Sequence, residues 1–237
     1  MAGTLVDFGY ERRDNLVFKN KKLNAYWFAP PMPELPRIFV SELQVESFPK
    51  DVRDIIQKYT REASPHSDYL YLSGSLGVLP WPTPSLADYE ALSEVSEYAA
   101  WTLVNGYSLN HTTISVHNLS GLNTIESLTR ALEGESFSLN SAGGVVKTSL
   151  DGRLRQISTL ADTVDFCFSG GEARQVSGPY IEFAERLVLP QFEGLPAGEV
   201  QEKHRRDGFE QGNADKIFES TTVVGAGSGG GGGGKIN

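Results

Sequence analysis

The chain has 237 residues, 39% of them hydrophobic and 10% aromatic, enough to build one large domain or two small ones. A net charge of −9 and a pI near 5.0 argue against nucleic acid as a partner and give no attraction to an anionic membrane. The single cysteine, Cys167, excludes an intrachain disulfide, no apolar run approaches the ~20 residues of a membrane span, and no leader is legible at Met1-Ala2-Gly3-Thr4.

The first predicted element is the end of a helix over 5–10, stopped at Gly9. Short strands follow at 16–18, 23–28 and 37–45, separated by the polar turn Asn20-Lys21-Lys22 and by Pro30-Pro31. Residues 51–60 have helical spacing, with Val52, Ile55, Ile56 and Tyr59 on one face. A connection rich in Ser, Pro and Gly covers 63–84 and contains His66, read as solvated. Ser85 opens a helix predicted to run to about Val104, with Leu86, Tyr89, Leu92, Val95 and Ala99 as its apolar face. A strand over 110–117, a helix over 122–132 and a hairpin at Asp151-Gly152 come next. Then come a strand over 163–168, in which Cys167 is read as packed, and a last long strand over 179–189. Residues 199–206 are predicted as a short charged helix. The glycine run of 225–234 is expected to be a disordered tail. It is not a phosphate loop, because Lys235 is followed by Ile236-Asn237 instead of a helix-opening Ser or Thr.

The strand over 110–117 carries the chemistry. Alternation puts His111, Thr113, Ser115 and His117 on one face. A row of His, Thr, Ser and His suits a wet, polar cavity and does not suit a dry core. On the last strand, Glu182, Ala184 and Arg186 share one face, and Ile181, Phe183, Glu185 and Leu187 the other. A His and a Glu facing one cavity from two strands could be two thirds of a metal site, with imidazole and carboxylate both suitable metal ligands. His117 lies further along, in a structural or rim position. For Arg186, orienting Glu182, pairing with substrate and a structural salt bridge all remain open. For Arg205 and Arg206, bidentate contact with a substrate carboxylate and a solvated helix end stand side by side. Glu42 is read as structural.

Four runs resemble the plant and algal branch of the 2-oxoadipate dioxygenase/decarboxylase family. They are Asn105 through His117, Tyr180 through Pro190, His204 through Glu210, and Ala214 through Thr221; the resemblance covers about residues 3–222. It implies an α+β fold of the vicinal oxygen chelate type, two βαβββ-like modules forming an open barrel, the first lacking its opening strand. On that reading, residues 1–62 are a partial first module, 63–105 a linker and helix, 106–190 the second module, 191–222 a C-terminal segment and 223–237 the tail. The family is implied to bind Fe(II) through two His and one Glu. It converts 2-oxoadipate with O2 to 2-hydroxyglutarate in lysine catabolism, in the plastid. His111 and Glu182 match its second His and its Glu, and Gly212 and Asn213 match its substrate-discriminating positions. Its first His, and an Arg four residues on, belong to the opening strand and are expected upstream of Met1. Residues 1–237 alone are therefore expected not to be a competent dioxygenase; if they are, His66 and His204 are the first suspects for the third ligand. Two other readings stand beside this one: an inactive remnant acting as a binding or plastid-organising protein, and a glyoxalase-like metal lyase or isomerase.

Overall fold

The computed structural model describes residues 2–61, 63, 74 and 76–221. His66 and the glycine run lie outside these residues. The first half opens with helix α1 (Ala2–Asp7), which ends at Gly9 with φ +82°, the left-handed backbone that glycine tolerates. Strands β1 (Glu11–Phe18), β2 (Leu23–Ala29) and β3 (Ile38–Leu43) then form an antiparallel sheet in the order β1-β2-β3. Alternation on β2 sends Leu23, Ala25 and Trp27 into a cluster with Leu16, Phe18 and Phe218.

Helix α2 (Lys50–Thr60) follows. The single helix expected after Ser85 is two: α3 (Leu86–Ser93) and α4 (Glu97–Asn105). The break has a local cause. Ser96 adopts extended backbone and its hydroxyl accepts from Ala99 N at 3.2 Å, a fresh N-cap, just as Ser85 caps α3 through Asp88 N at 3.2 Å. Val95, assigned to the apolar face of one helix, falls in the break and is exposed.

The second half contains β4 (His111–Ser115), α5 (Ile125–Gly134), β5 (Lys147–Thr148), β6 (Leu154–Ser158), β7 (Thr163–Cys167), β8 (Ala173–Ser177) and β9 (Tyr180–Arg186). Four of the strands form one sheet, in the order β4-β9-β6-β5, and β7-β8 form a separate ribbon. β4 pairs with β9 in parallel, which requires the α5 crossover between them; β6 pairs with β9 antiparallel. One face of the sheet packs Ile157 and Phe183 under α5, against Val116, Ile125 and Leu128. Among the described residues no sheet closes on itself.

Strand β4 ends at Ser115, and Val116–Asn118 form a 3-10 turn, so His117 leaves the row that strand alternation assigned it. Cys167 is exposed rather than packed. In the β7-β8 ribbon its neighbours Phe166 and Phe168 take the inward positions against Val104 and Val176. The charged helix expected over 199–206 is a pair of 3-10 turns, Ala197–Glu199 and Glu202–His204. The last helix, α6 (Gln211–Ile217), lies between the two sheets: Ala214 and Phe218 pack on the first, and Asn213 reaches the second. Among the described residues no helix is long and apolar enough to cross a membrane.

Ile157 is fully buried where the sheet meets α5. Ile157→Ala is expected to destabilise the protein by about 2–5 kcal/mol, read from urea denaturation. A loss below ~1 kcal/mol would show that this interface is not where the stability of the second half resides.

Candidate metal centre

The parallel register sets Thr113 opposite Glu182 and His111 opposite Tyr180. His111 and Glu182 therefore emerge from one face of adjacent strands. His111 Nε2 stands 3.2 Å from Glu182 Oε2, and the Glu182 side chain is only 3% exposed. The other carboxylate oxygen accepts a hydrogen bond from Gln156 Nε2. Gln156 is itself held: its Oε1 accepts from Asn213 Nδ2 at 2.8 Å, which fixes the amide with its NH2 toward Glu182. On the other side, His111 Nδ1 meets Asn110 Oδ1 at 3.0 Å. With Nδ1 as donor, Nε2 is the nitrogen that can give its lone pair to a metal. The imidazole also stacks on the Tyr180 ring, with centroids 4.6 Å apart and planes 13° from parallel.

Burial pushes the Glu182 carboxyl up, but the hydrogen bond and charge of His111 in its imidazolium form, with both ring nitrogens as donors, the Gln156 hydrogen bond and the Arg186 charge outweigh it and hold the group below its ordinary value. Two ligands ~2.1 Å from one ion and at right angles stand about 3 Å apart, so the observed N–O separation fits a pair of neighbouring ligands. The donor set, one imidazole and one buried carboxylate each with an outer hydrogen-bond partner, fits two of the three positions of a two-His-one-carboxylate iron site. Among the described residues there is no group of three or more His, Cys, Asp or Glu that could hold an ion.

The other predicted site residues are placed as follows. Arg186 is buried and donates to the carbonyls of Arg206 at 3.0 Å and Gly208 at 2.7 Å; burial pushes its pKa down to about 10. Arg205 donates to the Arg186 carbonyl at 2.9 Å, and Arg206 meets Asp151 at 3.1 Å and Glu210 at 3.4 Å. Gly212 and Asn213 line a cavity of about 220 Å³ together with Lys147 and Lys216. Asn213 thus stands one side chain away from Glu182, through Gln156. His117 Nε2 meets Glu202 Oε2 at 3.0 Å, and His204 Nδ1 accepts from Gln201 N at 3.1 Å. Glu42 pairs through its backbone with Asn24 on β2. Asn110, Gln156 and Tyr180 were not singled out in the sequence. Period-two spacing from Glu182 points to Tyr180, whereas Gln156 reaches the carboxylate only through the β6-β9 pairing.

In fold, this α+β chain, with a β4-β9-β6-β5 sheet, a crossover helix on one face and a His–Glu pair on the other, is of the vicinal oxygen chelate type. Comparison bears this out in fold: a putative glyoxalase superfamily protein from Ralstonia eutropha JMP134 superposes with a TM-score of 0.58 at 22% identity, covering 75% of this chain and 62% of that one. A profile of the family described as 2-oxoadipate dioxygenase/decarboxylase matches residues 1–197, and the chain belongs to that family. It is 53% identical over 234 residues to the chloroplastic 2-oxoadipate dioxygenase/decarboxylase of Arabidopsis thaliana, an alignment covering 93% of this chain and 63% of that protein. The chain thus spans less than two thirds of the length of this relative. The crystal structure of hydroxyglutarate synthase from Oryza sativa, in complex with 2-oxoadipate, matches with a TM-score of 0.90 at 50% identity, covering 94% of this chain and 75% of that one.

Two outcomes follow from this geometry. Gln156→Leu removes the hydrogen bond that orients Glu182 and, if Glu182 is a ligand, is expected to weaken metal binding roughly 10- to 100-fold, measured by competition with a chelator; unchanged affinity would mean that Gln156 does not orient a ligand. Separately, the His117 hydrogen bond, against burial and with the help of Arg37, pulls Glu202 from its ordinary 4.5 down to about 2. The folded value lies below the unfolded one, so this contribution to stability is present above pH 4.5 and is lost as the pH falls toward 2. Glu202→Gln should therefore be less stable at neutral pH and lose less stability across that window. Parallel pH–stability curves for the two proteins would contradict it.

Proposed function

We propose that this chain is part of an Fe(II)-dependent dioxygenase that converts 2-oxoadipate and O2 to 2-hydroxyglutarate and CO2, a step of lysine catabolism carried out in the plastid, and that it supplies two of the iron ligands. The observation that supports it most directly is the His111 Nε2–Glu182 Oε2 separation of 3.2 Å on neighbouring parallel strands. The named relatives support the substrate and the compartment. His111 and Glu182 hold the iron, which when bound activates O2 and the 2-oxo acid toward oxidative decarboxylation. The chain's own part is to present these ligands in fixed orientation. Asn110 sets the imidazole tautomer, and Gln156, held by Asn213, sets the carboxylate. Gly212 and Asn213 bear on the choice of substrate, Asn213 through its hydrogen bond to Gln156.

A third protein ligand belongs beside β3. In the second half, His111 comes from the strand that lies parallel to the last strand; the corresponding neighbour of β3 is absent among the described residues. Such a strand would also cover backbone groups that β3 otherwise exposes.

In a protein that carries the opening strand together with residues 1–237, His111→Ala or Glu182→Gln is expected to abolish O2-dependent release of CO2 from 2-oxoadipate and to lower bound iron well below one per chain. Substantial turnover in either variant with iron still bound would remove these residues from the metal site.

A further inference from the structure

We propose that the Tyr180 hydroxyl donates a hydrogen bond to an oxygen atom of the 2-oxo acid bound at the His111–Glu182 site. This rests on the function proposed above and adds a residue to the substrate contacts. Tyr180 is 4% exposed, yet among the described residues its hydroxyl oxygen has no hydrogen-bond partner. Buried polar groups are nearly always bonded, and one left unpaired costs free energy that a fold ordinarily avoids. The position of this one is specific. Its ring stacks on the imidazole of His111, and Tyr180 lies on the same face of β9 as Glu182, two residues away. A phenol keeps its proton at neutral pH and so is a ready donor.

Glu97 and Tyr98, whose hydroxyl is likewise without a partner among the described residues, also lie close enough to act on Tyr180, whereas the acceptors of the His111–Glu182 site itself are engaged. Gln156 takes one oxygen of Glu182, His111 faces the other, and Asn110 Oδ1 is paired with His111 Nδ1. A 2-oxo acid brings a keto oxygen and two carboxylate oxygens to the ring that stacks on the metal ligand. A preorganised donor of this kind orients the substrate without reorganising when it binds.

Tyr180→Phe keeps the ring and its stacking and removes only the oxygen. The test uses the full-length, iron-loaded protein without O2 and measures the melting temperature and the Kd for 2-oxoadipate by calorimetry. The expected result is an unchanged or higher melting temperature, because an unpaired group leaves the interior, together with a Kd raised about tenfold, the equivalent of one hydrogen bond. A Kd within twofold of wild type would overturn the inference alone. A clear fall in melting temperature would overturn it too, by showing that the hydroxyl already has a partner within the fold. Failure of the wild-type protein itself to bind 2-oxoadipate would overturn the functional reading and this inference with it.

Discussion

A carboxylate sealed inside a protein has to be satisfied, and much of the second half of this molecule does that for Glu182. Removing such a charge from water costs several kcal/mol, recovered only when well-placed partners replace the lost hydration. Here the partners come from both neighbouring strands: His111 from β4 and Gln156 from β6. The parallel β4-β9 pairing is thus as necessary to the site as the two side chains themselves. That pairing in turn needs the α5 crossover, whose apolar face closes the opposite side of the sheet over Ile157 and Phe183.

The C-terminal segment ties this site to the rest of the chain. Phe209 and Phe218 pack against Trp27, Phe39, Phe18 and Tyr98 of the first half. From the same segment, Asn213 reaches Gln156, and Ser220 meets Ser158 and Asn140. One short stretch is apolar toward one sheet and hydrogen-bonded toward the other, so the two halves are locked together through the residues that orient Glu182. Arg186 adds to this by holding the 206–208 backbone. Asn213 is therefore mechanically linked, through Gln156, to Glu182.

The fold was legible where strand alternation was strong. The polar row beginning at His111, the Glu182-Ala184-Arg186 face and the buried Phe183 face all follow from a period of two. Elements without such a pattern escaped. Strand β8 reads Ala-Arg-Gln-Val-Ser and has a single buried residue, Val176; helix α6 has seven residues and a glycine near its start. The expected run from Ser85 to Val104 has nearly continuous helical periodicity, and only the N-cap at Ser96 divides it. For the site, His111 and Glu182 stood out by residue type and face. Gln156 did not, because its contact depends on which strands become neighbours, and pairing order in a mixed sheet is a long-range property. For the arginines at 205 and 206 the sequence left a substrate carboxylate and a solvated helix end side by side; in the fold their guanidinium groups meet the Arg186 carbonyl and the Asp151 and Glu210 side chains.

The central claim is that His111 and Glu182 are ligands of one ion and not merely a buried ion pair. The most direct measurement is a crystal structure of the full-length protein loaded with Fe(II) without O2, with anomalous scattering collected at the iron edge. The account predicts a single iron peak with His111 Nε2 and Glu182 Oε2 both about 2.0–2.2 Å from it. An iron bound elsewhere, with the His111–Glu182 contact intact and metal-free, would contradict it.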